Sequence, residues 1–186
     1  PAAQAVARSA SKDSGFASAR WALYRAQQDL VQVAAKHGVV LELFHGRGGT
    51  VSRGGGKTRE AIMSQPPGTV HGRLRVTEQG EIVFAKYGMA GIALRTFELM
   101  AGAVLEFGAT EDQASAPKPA WCEAMDVIAT ESRRAYRALV YEDADFFAFF
   151  RAATPIDVIE RLRIGSRPAS RRAQQGIRDL RAIPWV

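Results

Sequence analysis

A chain of 186 residues suits one domain with room for two, and 47% apolar with 24% charged residues is the make-up of a globular protein with a packed core. No apolar run approaches the roughly 20 residues of a bilayer-spanning helix, and one cysteine, Cys122, excludes an internal disulfide, so a cytoplasmic protein with no membrane partner is expected. The net charge of +6, mostly from arginine, fits a mildly basic protein of an arginine-rich proteome, a nucleic-acid surface, or arginine forks that grip small anions.

The start, "PAAQAVARSA", lacks the continuous apolar core of a signal peptide. Residues 1–11 read as a poorly ordered leader or the edge of a cloned piece. Over 17–37, Trp21, Tyr24, Gln28, Val31 and Ala35 recur at spacings of three and four, with Leu23, Leu30 and Val33 beside them. That predicts an amphipathic helix closed by Gly38. "VVLELF" (39–44) is β-branched and apolar, a short buried strand.

The next stretch, "FHGRGGTVSRGGGKT" (44–58), sets His45, Arg47 and Arg53 among six glycines. Gly-Gly-Gly-Lys-Thr imitates the end of a phosphate-binding Walker loop. That loop needs a further glycine five positions before the one preceding lysine. Counting back from Gly56 lands on Val51, whose branched side chain cannot adopt glycine's conformations at little cost. The Walker reading fails on spacing. A basic, glycine-rich loop at the C-terminal end of a strand still occupies the place where α/β folds bind ligands.

Further on, 58–65 predicts a short helix stopped by Pro66 and Pro67. Residues 72–88 read as extended segments around a turn at Gln79-Gly80, 89–107 as a buried helix, and 108–119 as a small, polar, proline-bearing linker. A long helix is expected over 120–141 and a shorter one around "DFFAFFRAA". Thr154, Pro155 and Asp157 form a helix start. "RLRIGSRP" and "LRAIPWV" read as two short apolar runs joined by a basic loop. The aromatics Trp21, Tyr24, Phe146, Phe147, Phe149 and Phe150 fall at core-like helical spacing rather than interleaved with arginine, which argues against a nucleic-acid surface.

Six motifs in order, "LFHGRGGTVSRGGG", "SQPP", "LRVTEQGE", "FFRAATP", "IGSRPA" and "LRAIPW", resemble phosphoenolpyruvate carboxylase. The resemblance runs from about Lys12 to Val186 and covers a piece of the C-terminal half of that large enzyme. It implies an α/β, predominantly helical fold, a partial TIM-like barrel segment with several short strands and long helices. Residues 12–186 are then a partial catalytic domain, incomplete at both ends.

The implied reaction converts phosphoenolpyruvate and bicarbonate to oxaloacetate and phosphate, feeding the tricarboxylic acid cycle. The implied cofactor is Mg²⁺ or Mn²⁺, and the implied assembly of the complete enzyme is a homotetramer. By the same resemblance His45 handles the proton of carboxyphosphate or steadies carbon dioxide, and Arg47 and Arg53 contact phosphate or carboxylate. Arg167 and Arg181 match substrate-binding arginines. "SKDSG" (11–15) matches the end of a Ser-Asp-Ser-x-Lys-Asp-Gly stretch, with Lys12 as a catalytic lysine. His37 and His71 match no motif and read as surface residues.

Departures are equally specific. Ser9 stands where the family has a metal-binding aspartate, and a hydroxyl is a poor substitute for a carboxylate on a hard cation. Ser52, Lys57 and Ser170 replace a usual glycine, proline and lysine. The metal site is expected to be incomplete and the isolated chain inactive. The alternatives are a non-catalytic anion-binding role and a basic nucleic-acid-binding module.

Overall fold

The computed structural model describes residues 2–7, 11–45, 58–76, 80–111 and 117–155, with 158 and 177. They fall in two compact units, one of residues 1–9 with 22–119 and the other of residues 10–21 with 120–186.

The first unit holds a parallel three-stranded sheet in the order β1-β2-β3. Its strands are β1 (Ala2–Ala7), β2 (Val40–His45) and β3 (Arg75–Val76). β1 runs through the stretch that the sequence offered as a poorly ordered leader. Its register pairs Ala2 with Val40 and Ala7 with His45. β2 takes the predicted strand but is buried on one side only: Leu43 is 4% exposed and Val40 67%. Arg75 on β3 binds Glu42 on β2 at 3.5 Å, and its guanidinium lies 5.9 Å from the Phe44 ring centre. These contacts accompany the pairing of Phe44 with Arg75 and of His45 with Val76.

Between strands the chain is helical. α1 (Ser11–Ser14) and α2 (Phe16–Lys36) follow β1. α2 ends as predicted, in a left-handed Gly38 (φ 61). The Val39 amide donates to the Ala34 carbonyl and the Gly38 amide to Ala35, at 2.9 and 3.2 Å. This is the reciprocal pair of bonds that satisfies a helix's last carbonyls. The buried stripe of α2 includes Gln27, while Leu30 and Val33, expected near the core, are exposed.

α3 (Thr58–Met63) is the short helix expected before Pro66 and Pro67. The turn beyond it is packed and internally bonded. Gln65 Nε2 donates to the Ala61 carbonyl at 2.8 Å, and Thr69 Oγ1 to the Pro66 carbonyl at 2.5 Å. Ile62, Pro66 and Val70 are almost fully buried.

The reading of 72–88 as extended needs correction: β3 takes only two residues, and Gly80–Tyr87 form helix α4. The run Ile82-Val83-Phe84 favours a strand locally, but strand preference yields to packing. Here α4 packs against α5 (Ala90–Glu111). Tyr87 stacks on Phe97 with ring centres 5.1 Å apart. α5 also lies against α3, where Arg59 forks onto both carboxylate oxygens of Glu106. Ala61, Ile62, Val70, Ala103 and Phe107 form the core of this unit. The expected burial of α5 is overturned along much of its length. Ile92, Leu94, Phe97, Leu99 and Leu105 are exposed, Leu94 to 62%. The expected linker is shorter than 108–119, because α5 continues to Glu111 and α6 begins at Pro119.

The second unit is helical among its described residues. α6 (Pro119–Arg137) runs into a π turn (Ala138–Glu142), and α7 (Phe146–Ala153) follows, both helices near their predicted positions. Val140, Phe146, Phe150 and Ile177 make its core, with Tyr136, Tyr141 and Phe147 against it. Phe150 is 0% exposed, so its ring contributes about 1.5–3 kcal/mol through burial. Thr154, expected to start a helix, is the C-cap of α7, extended at φ −117 and ψ 128 with its amide donating to the Phe150 carbonyl, and Val158 is helical. The intervening Ile156 and Asp157, and the motifs "RLRIGSRP" and "LRAIPWV", lie outside the described residues.

Candidate functional site

His45 is the last residue of β2, and its register partner on β1, Ala7, is the last residue of that strand. Parallel strands point their C-terminal ends the same way. Two adjacent strands therefore end level with one another. The segment after β1 reaches Lys12 in α1, and the segment after β2 holds Arg47 and Arg53. Arg47, Arg53, Arg167 and Arg181 lie outside the described residues, as do Ser9, Ser52, Lys57 and Ser170.

Lys12 lies in α1, within the second unit. α1 is one turn long and is broken from α2 by Gly15, at φ 78. A Cβ on Gly15 would lie 3.1 Å from the Tyr136 ring. The left-handed rotation favours glycine, and any larger residue would also have to push the Tyr136 ring back by a few tenths of an ångström. Tyr136 Oη donates to the Lys12 carbonyl at 2.8 Å and Tyr141 Oη to the same oxygen at 2.9 Å. Tyr141 Oη also lies 3.3 Å from Asp13 Oδ1, and Arg137 donates to the Asp13 carbonyl at 3.3 Å. The Arg137 guanidinium sits 5.0 Å from the centre of the Tyr141 ring. Burial, then the Asp13 charge, raises the Tyr136 phenol above its ordinary range. The same causes, with Tyr136 itself adding, push Tyr141 up to about 12. Both phenols therefore stay protonated, and able to donate, through neutral pH.

Sequence reasoning singled out Lys12 and missed the tyrosines that hold it. Tyr136 and Tyr141 belong to none of the quoted motifs, and a spacing of five is out of phase for an α-helical face. His37 and His71 are exposed, as expected. The "SQPP" motif contributes buried turn residues to the first unit. Burial lowers the Arg20 guanidinium on α2 from its usual value. Among the described residues no three of His, Cys, Asp and Glu could hold a metal ion. No helix among the described residues is long and apolar enough to cross a membrane.

The family described as phosphoenolpyruvate carboxylase matches residues 8–186. The phosphoenolpyruvate carboxylase of Chromohalobacter salexigens is 53% identical over 175 residues, which are 94% of this chain and 20% of that protein. Those of Pseudomonas putida F1 and Shewanella loihica are 54% and 52% identical over the same share of each chain. The chain thus spans 20% of the length of the curated relatives it matches. A match across almost the whole chain, at more than half identity, fixes the family that the six motifs resembled: this chain belongs to the phosphoenolpyruvate carboxylase family.

Proposed function

We propose that the chain supplies part of the substrate pocket of a phosphoenolpyruvate carboxylase. The observation that carries this reading is the family match over residues 8–186, the stretch that holds Lys12, His45, Arg47, Arg53, Arg167 and Arg181. In this reading the sheet is an arc of a TIM-like barrel, in which pocket residues gather past the C-terminal ends of the strands.

Bicarbonate oxygen attacks the phosphorus of phosphoenolpyruvate and the enolate oxygen leaves, giving carboxyphosphate and pyruvate enolate. Carboxyphosphate loses a proton and breaks its carbon–oxygen bond to phosphate, releasing carbon dioxide. The enolate carbon then attacks carbon dioxide and forms oxaloacetate. Every species is anionic, so the demand on the protein is fixed positive charge and a proton acceptor. Arg47, Arg53, Arg167 and Arg181 grip phosphate and carboxylate as two-point forks. Lys12 adds a point charge, and the His45 imidazole takes the carboxyphosphate proton. In this reading the complete enzyme is a cytoplasmic homotetramer, in which Mg²⁺ or Mn²⁺ would supply a Lewis acid.

Two measurements test the proposal. The purified chain, given phosphoenolpyruvate, bicarbonate and Mg²⁺, should form oxaloacetate only at background. It should still bind phosphoenolpyruvate weakly, less so at high salt. Arg53→Ala and Arg167→Ala should each weaken that binding by roughly tenfold, the scale of one lost charged hydrogen bond. Binding unchanged by both substitutions would overturn it.

A further inference from the structure

We infer that Tyr136 and Tyr141 are positioning residues for Lys12, brought onto its backbone by the π turn at the end of α6. Tyr136 lies in the last turn of α6 and Tyr141 in the π turn, five residues later. In a regular α-helix, residues five apart point roughly 140° away from each other. A turn closed by i→i+5 bonds brings such residues back toward alignment. The two rings accordingly meet edge to face, 6.5 Å apart, and both hydroxyls reach one carbonyl oxygen.

That carbonyl belongs to the one candidate lysine of the site. A carbonyl oxygen has two lone pairs, and two phenols fill both. The next carbonyl, of Asp13, accepts from Arg137, and the Gly15 break fits against the Tyr136 ring. One carbonyl of a four-residue helix thus receives two long-range donors. A single helical turn is marginal by itself in water, so these donors fix the backbone from which the Lys12 side chain departs.

The assignment of Lys12 to anion binding rests on the proposed function; the clamp itself does not, and one experiment separates them. The full chain is labelled at the lysine ε-carbon, and the Lys12 signal, one of five, is identified by its loss in Lys12→Arg. In the unaltered chain that signal should stand apart from those of exposed lysines. In Tyr136→Phe/Tyr141→Phe it should move into their range, with the circular dichroism and the Lys86 signal unchanged. Phenylalanine keeps both rings packed, and the two single variants, each with half the shift, serve if the double variant does not fold. A Lys12 signal unmoved in the folded variants overturns the clamp.

The second arm is a phosphoenolpyruvate titration of the same proteins. Lys12→Ala should weaken binding by roughly tenfold in the unaltered background and by less than about twofold in the double phenylalanine background. Equal losses in both backgrounds overturn the positioning role. A chain that does not bind phosphoenolpyruvate contradicts the proposed function, while the Lys12 signal still decides the clamp.

Discussion

At Tyr141 one hydroxyl joins the stability of the second unit to pH. Its phenol is raised above the ordinary value of about 10 to about 12, first by burial and then by the Asp13 charge; Tyr136 adds, and Arg137 opposes. A group whose folded pKa is raised stabilises the fold fully below its unfolded pKa and loses that contribution as pH climbs through the folded one. The loss therefore falls between about pH 10 and 12, where the phenolate can no longer donate to the Lys12 carbonyl. Urea-unfolding midpoints measured across this range should fall more steeply for the unaltered chain than for Tyr141→Phe. Parallel profiles would contradict this reading. The residue types of the candidate site were legible in the sequence because glycines, basic residues and spacing coincide in motifs. The tyrosine pair was not, because its spacing becomes meaningful only once the helix widens.

At the scale of elements, two left-handed glycines separate conformational cost from steric cost. Gly38 closes α2 at φ 61, and a Cβ added there would meet nothing within 4 Å, whereas a Cβ on Gly68 at φ 79 would lie 2.8 Å from Val31 Cγ1. Gly38→Ala should cost about 1–2 kcal/mol, the penalty of left-handed backbone alone. Gly68→Ala should cost more by about 1–3 kcal/mol, because α2 must shift or Val31 must rotate. Equal unfolding free energies for the two variants would contradict this. Helix ends were readable for the same local reason: Gly38 after α2 and Pro66 after α3 act on their own backbones. The α4 segment was misread because Ile82-Val83-Phe84 carries strand preference, and what decides is packing of Tyr87 against Phe97 and α5. α5 was placed correctly and its burial was not, since apolar composition alone does not report which neighbours cover a helix.

Across the whole molecule, six dispersed motifs gave the family, and membership follows from similarity over residues 8–186. The parallel order β1-β2-β3 could not be read from the sequence, because β1 is built mostly from alanines and glutamine with little strand preference. The central claim of the proposed function is that His45, the last residue of β2, shares a bound anion with the arginines that follow it in sequence. The chain has three histidines, and His37 and His71 are exposed on other segments. Histidine-ring nuclear magnetic resonance during a phosphoenolpyruvate titration therefore reads the claim directly. The account predicts that one of the three signals shifts with saturation, that His45→Gln removes that signal, and that Arg53→Ala moves the response to higher ligand concentration. A titration in which the His45 signal stays fixed, or moves no more than those of His37 and His71, would contradict it.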